Sequence, residues 1–199
     1  SFPLVDIQEV TKAAEDALSH GASRFAIVTS GKTPDESDFD KMLEMIGEIN
    51  KIEGLKSCAS IGILNEEQAK KLAQAGLKRF HHNINTSRSY YPQVCTTHSF
   101  EERINTCKLV KKYGMELCCG VILGMGETEE QRVEMAMTLS EIQPDSIPVN
   151  ILMPIAHTPF ESYIDKIDEE NILRAMSVIK IANPKSIVRL CGGRMRLSR

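Results

Sequence analysis

Phe80-His81-His82-Asn83-Ile84-Asn85-Thr86 is the stretch on which the reading of this chain turns. The residues before it predict a helix from about Asn65 to Ala75, stopped by Gly76, and then a strand from Leu77 to His81. The polar residues therefore fall at the C-terminal end of a strand. In α/β proteins with parallel strands, ligands bind at that end. Two His and two Asn bury nothing apolar there; their donors and acceptors need partners, and a polar ligand is one source. A solvated turn is the other reading, because Asn and Ser are common turn residues.

Working outward, the same alternation repeats. On the N-terminal side, Asp6 caps a helix ending at Gly21, and Arg24 to Thr29 is a strand. Ser37 or Asp38 caps the next helix, which stops near Gly54, and Ser57 to Ile61 is a strand. On the C-terminal side, a loop from Ser87 to His98 leads to a helix capped by Ser99 and ended by Gly114. Glu116 to Leu123 is a strand, and Thr128 opens a helix. Ser146 to Leu152 is a strand interrupted by Pro148, Asp168 starts a helix to about Ile181, and Ser186 to Leu190 is the last strand. Single strands alternating with helices give a parallel sheet, either doubly wound or a barrel. Six units that open on a helix and close on a strand predict an α/β fold, a partial TIM-type (β/α) barrel of about six parallel strands with outer helices. One domain over residues 1–199 is expected. The start at Ser1, close to a helix, and the finish on Arg194, Arg196 and Arg199 suggest truncation at both ends.

Composition narrows the class. A net charge of −3 gives no reason to invoke nucleic acid or an anionic membrane. No apolar run approaches the roughly 18 residues of a membrane span, and no basic-plus-apolar leader opens the chain. Six Cys without secreted-type spacing point to a reducing, cytoplasmic compartment. None of Cys58, Cys95, Cys107, Cys118, Cys119 and Cys191 forms a CxxC or CxxxC pair.

Strand alternation groups the chemistry. Arg189 and Cys191 share a face, as do Cys118, Gly120 and Ile122. If Cys118 faces a barrel interior, Cys119 faces the helices. A barrel lumen gathers inward residues from separate strands, so Cys58, Cys118, Arg189 and Cys191 can meet there. Three thiols and a guanidinium suggest iron–sulfur ligation; the alternative is that each Cys is a small buried hydrophobe. Gly124-Met125-Gly126-Glu127 is a turn that lets a ligand approach the backbone, or an ordinary strand-to-helix turn. Gly31-Lys32-Thr33 lacks the first glycine of a phosphate loop and is set aside.

Together these stretches resemble the biotin synthase family of radical S-adenosylmethionine enzymes. His81 to Ser87 is similar to its Asn-His-Asn-Leu-Asp-Thr-Ser motif, and Glu102-Arg103 with Thr106 resembles the helix that follows. Gly114 to Thr128 fits Gly-x-x-x-Cys-x-Gly-x-x-x-Gly-x-Gly-Glu-Thr. Ser146 to Asn150 fits Ser-Val-Pro-Ile-Asn, with Thr158-Pro159 beyond it, and Val188 to Arg194 resembles Val-Arg-Leu-Ser-x-Gly-Arg.

The resemblance implies S-adenosylmethionine cleaved at a 4Fe–4S cluster, dethiobiotin as substrate, and sulfur supplied by a second iron–sulfur cluster in the lumen. It also implies an electron donor such as flavodoxin or ferredoxin, and a homodimer. Carried over by position, Asn83 and Asn150 contact S-adenosylmethionine and dethiobiotin. Asn85, Arg103 and Ile122 contact S-adenosylmethionine, and Cys58, Cys118 and Arg189 are second-cluster ligands. Three departures stand out. The CxxxCxxC loop of the first cluster is not in this chain, so its ligands are expected outside the segment. Ala26 occupies the place of the remaining second-cluster Cys, and Cys191 stands where the family has Ser. Linking the last two predicts a second cluster, 2Fe–2S or of altered type, held by Cys58, Cys118 and Cys191. Two other readings remain open: another radical enzyme of the superfamily, of the hydrogenase-maturase or methylornithine synthase type, and a non-catalytic barrel that binds a nucleoside or partner.

Overall fold

The computed structural model describes residues 4–163 and 168–197. Ser1 and Arg199 lie outside the described residues. The elements run α1 (Ile7–Ser19), β1 (Arg24–Val28), α2 (Glu36–Lys51), β2 (Lys56–Ser60), α3 (Glu66–Gln74), β3 (Arg79–His81), α4 (Tyr91–Val94) and α5 (Phe100–Lys112). They continue with β4 (Glu116–Cys118), β5 (Val121–Leu123), α6 (Glu129–Ile142), β6 (Ser146–Ile151), α7 (Glu169–Ala182) and β7 (Ile187–Leu190). The helix–strand alternation expected from the sequence is present, and the strand pairings are parallel. The chain divides into two compact units, Ser1–His82 with Lys108–Leu117, and Asn83–Cys107 with Cys118–Arg199.

In the first unit β1 pairs with β2 and β2 with β3. Apolar residues at helical spacing on α2, namely Phe39, Met42, Ile46 and Ile49, are buried along with Ala59 of β2 and Phe80 of β3. The caps are local. Asp6 accepts from Gln8 N, and Asn65 forms a reciprocal capping box with Gln68. The sequence places the cap of α2 at Ser37 or Asp38; the structure places it at Asp35, whose carboxylate accepts from Asp38 N at 2.8 Å. Asp35 is the last extended residue before the helix (φ −70°, ψ 170°), which is where a capping side chain acts, whereas Ser37 and Asp38 already lie within the first turn.

In the second unit Cys118 pairs with Ser146, β5 pairs with β6, and β6 with β7. The expected strand from Glu116 to Leu123 is broken at Cys119–Gly120 into β4 and β5. The register does not slip, because Cys118 faces Ser146 and Val121 faces Val149. β4 and β5 are thus one strand with a kink, which restores about six strands. The sequence puts the interruption on the other strand, at Pro148, yet β6 runs unbroken from Ser146 to Ile151. Pro148 has no N–H to offer a ladder, and the neighbouring strand yields instead. A Cβ on Gly120 would stand 1.8 Å from the Pro148 carbonyl oxygen, so only glycine fits there. The expected loop from Ser87 to His98 also contains α4, a single turn with Pro92 near its start. A turn that short has too little periodicity to be seen in sequence.

Candidate functional site

The second unit collects most of the polar residues singled out in the sequence. Beyond β3 the chain from Asn83 to Asn85 runs beside the kink. Asn83 Oδ1 accepts from Gly120 N at 2.9 Å, and Ile122 N donates to Asn85 O at 2.7 Å. Asn85 has φ of 67°, a left-handed conformation that Asn tolerates better than most residues. Asn150, on β6, spans two backbones. Its Nδ2 donates to Val121 O at 3.3 Å and its Oδ1 accepts from Gly192 N at 2.9 Å. Asn83, Asn85, Ile122 and Asn150 are half-buried rather than sealed.

Arg103 of α5 is held on three sides. Its Nε donates to the Tyr91 hydroxyl at 2.6 Å, Nη1 to Asn83 O at 2.8 Å, and Nη2 to His98 Nε2 at 2.8 Å. It fixes the backbone of Asn83, which in turn holds Gly120.

Cys118 and Arg189 are brought together, with Nη2 3.6 Å from Sγ. Cys118 is buried, while Cys191 is half-buried and directs its thiol toward Arg189 O at 3.8 Å. Cys119 faces the helices as expected. It is buried against Cys107 of α5, with the sulfurs 3.8 Å apart, and the contact with Cys107 together with burial pushes its thiol well up. Ser146, the register partner of Cys118, is buried and its Oγ has no hydrogen-bond partner. Sequence reasoning did not single it out as a site residue; only the cross-strand register does so.

Cys58 lies in the first unit, with Ala26 on one side of it in register and Arg79 on the other. Glu116 bridges Arg24 and Arg79 at 2.9 and 2.6 Å. Burial pushes the Cys58 thiol up, against the pull of Arg24 and Arg79.

The glycine turn is filled from within. The Glu127 carboxylate accepts from Gly124 N at 2.9 Å and Met125 N at 2.8 Å, and pairs with Arg132 at 3.0 Å. The N–H groups that would cradle an anion are occupied by the chain's own carboxylate, which favours the ordinary-turn reading.

Thiols with a guanidinium match an iron–sulfur group in kind, and Cys118 and Arg189 are already adjacent. Among the described residues no group of three or more His, Cys, Asp or Glu side chains stands ready to hold a metal ion. The chain has no CxxxCxxC triplet, so its residues do not fit the cluster at which S-adenosylmethionine is cleaved.

Comparison with known proteins fits this arrangement. The radical SAM superfamily model matches residues 2–139, and the chain belongs to that superfamily, whose members use S-adenosylmethionine with a 4Fe–4S cluster. The Biotin and Thiamin Synthesis associated domain matches residues 148–199. The chain is 43% identical over 196 residues to the biotin synthase of Acetivibrio thermocellus, covering 98% of this chain and 61% of that one. It is 42% identical to the biotin synthase of Clostridium tetani, covering 97% and 59%. It thus spans about three-fifths of the length of the curated relatives it matches. Among solved structures, methylornithine synthase superposes with a TM-score of 0.81 at 20% identity, over 94% of this chain and 55% of that one. The FeFe-hydrogenase maturase from Carboxydothermus hydrogenoformans superposes at 0.76 and 16% identity, over 96% and 47%. The fold is that of the radical SAM barrels, in partial form. No helix among the described residues is long and apolar enough to cross a membrane.

Proposed function

We propose that the chain is the catalytic barrel segment of a biotin synthase, a sulfurtransferase that inserts sulfur into dethiobiotin. The observation that carries this reading is the adjacency of Cys118 and Arg189 in the same unit as Asn83, Asn85, Ile122 and Asn150. Cys58, Cys118, Arg189 and Cys191 would hold a lumen iron–sulfur cluster, 2Fe–2S or of altered type, which would supply the sulfur. Asn83 and Asn150 present amide groups to the polar parts of S-adenosylmethionine and dethiobiotin, Asn85 and Arg103 read S-adenosylmethionine, and Ile122 packs against its adenine. Arg103 also positions, by fixing the Asn83 carbonyl. The reading carries with it one domain over residues 1–199 within a longer protein and a first cluster held by residues outside this segment. It further carries flavodoxin or ferredoxin as electron donor, a homodimer and a cytoplasmic location.

The test is dethiobiotin binding by calorimetry to the iron-loaded protein, with and without S-adenosylmethionine. The reading expects saturable binding that Asn150→Ala weakens about tenfold or more, the cost of about 1.4 kcal/mol for a lost polar contact. Binding of S-adenosylmethionine with no uptake of dethiobiotin would move the assignment to another enzyme of the superfamily.

A further inference from the structure

Outside the site above, α6 and α7 present a second apolar surface. α6 links β5 to β6 and α7 links β6 to β7, and these strands are parallel, so the two helices run in the same direction. Each buries one stripe at helical spacing, Met135, Ala136 and Leu139 on α6 and Ile172, Ala175 and Ile179 on α7. A helix on the outside of a domain needs only that stripe, with polar residues opposite it. Here Val133 and Met137, one turn apart on α6, and Val178 and Ile181, one turn apart on α7, are exposed as well, Met137 at 54% and Ile181 at 79%. Between the helices runs an open groove of about 210 Å³, lined among others by Glu129, Arg132, Val133, Arg174, Ala175 and Val178. Arg132 is tied to the buried Glu127. Arg174 pairs with Glu170, but both are exposed and such a pair contributes little, so Arg174 can take another carboxylate. Glu129, Val133 and Met137 follow one another at one-turn steps on α6, and Arg174, Val178 and Ile181 do so on α7. Glu129 and Val133 share the groove with Arg174 and Val178, which sets the two series level with each other. A two-fold axis running along the groove keeps those levels. Glu129 then meets the partner's Arg174, Val133 the partner's Val178, and Met137 the partner's Ile181, and each meeting occurs twice. An isologous interface has to be self-complementary in this way.

We propose that a second copy of this chain docks on the α6–α7 groove, across a two-fold axis that runs along it. Exposed apolar surface flanked by charge marks an association site. The occupant is a like chain because the surface carries both an acid and a base at matching levels; a partner of one charge would set one of them against its like. The proposal gives a surface to the homodimer that accompanies the reading above, and it rests on that part of the reading alone.

The test is sedimentation velocity on the reduced chain, before and after iron reconstitution, from about 1 to about 100 µM, where a monomer–dimer equilibrium is expected. Circular dichroism checks that each variant is folded. Val178→Glu buries a charge in the contact and weakens the dimer at least about tenfold. Glu129→Arg and Arg174→Glu each set like charges together at two places and weaken it by a similar factor. The double variant Glu129→Arg/Arg174→Glu restores the opposite pairing, and with it association to within about threefold of the parent. A monomer at every concentration would overturn this proposal and the homodimer together. A dimer that ignores Val178→Glu would leave the homodimer standing and overturn this surface, and a double variant no tighter than either single one would overturn the two-fold pairing. Dethiobiotin binding is measured separately and is untouched by any of these results.

Discussion

Replacing Glu127 with alanine tests whether the glycine turn is held from inside. The Glu127 side chain has no exposed surface, and its partner Arg132 is 19% exposed. The substitution leaves Gly124 N and Met125 N without their acceptor and Arg132 without its counter-charge. Each hydrogen bond to a charged group contributes about 1.5 kcal/mol or more. Stranding the partner of a fully buried pair costs about 3–5 kcal/mol, less here because water still reaches Arg132. A total loss of about 4 kcal/mol follows. For a chain of this length that corresponds to a fall in melting temperature of roughly 8–16 °C. Glu127→Gln keeps an acceptor of the same shape and loses about half as much. Urea unfolding followed by circular dichroism measures both variants, and an unchanged m-value shows that the comparison is one of stability. If alanine costs under about 1 kcal/mol, or if glutamine and alanine cost the same, the carboxylate does not hold the turn.

Three further outcomes are expected. Gly120→Ala forces a Cβ to within 1.8 Å of Pro148 O and prevents normal pairing of β5 with β6, so it destabilises by more than about 3 kcal/mol or abolishes soluble expression, whereas Gly47→Ala, with nothing within 4 Å, does neither. Burial pushes the Glu116 carboxyl up, but Arg79 and Arg24 outweigh it and hold it below its ordinary value. Its contribution to stability is therefore present at neutral pH and lost as the pH falls below about 4.5, and Glu116→Gln should flatten acid denaturation curves in that range. Ala26→Cys adds a thiol in register with Cys58, and iron analysis with absorption spectra should show the bound cluster change in type or occupancy; spectra identical to those of the parent would argue that Ala26 does not border it.

The parts of the fold legible in the sequence were those written in local chemistry. Asp6, Asn65, Thr128 and Asp168 cap the helices the sequence assigns to them, because an Ncap side chain needs only the next few N–H groups. The strand break was legible in part. Pro148 announces a defect, but which strand bends depends on the partner across the sheet, and Gly120 marks it only once the two are paired. The alternation that sets Cys119 against the helices was readable from period two, and its contact with Cys107 bears it out. The hold of Tyr91 and His98 on Arg103 was not readable, because it depends on α5 returning Arg103 to a loop whose short helix has no periodic signature.

The central claim is that Cys58, Cys118, Arg189 and Cys191 hold an iron–sulfur cluster. Iron and acid-labile sulfide per chain, measured with an absorption spectrum after anaerobic reconstitution, test it most directly. The chain contains no CxxxCxxC triplet, so any iron it retains is held by other residues. The account predicts a stoichiometric cluster that is lost in Cys58→Ala, Cys118→Ala and Cys191→Ala, with folded content unchanged. A folded chain that binds no iron, or iron that persists in Cys118→Ala, would contradict it.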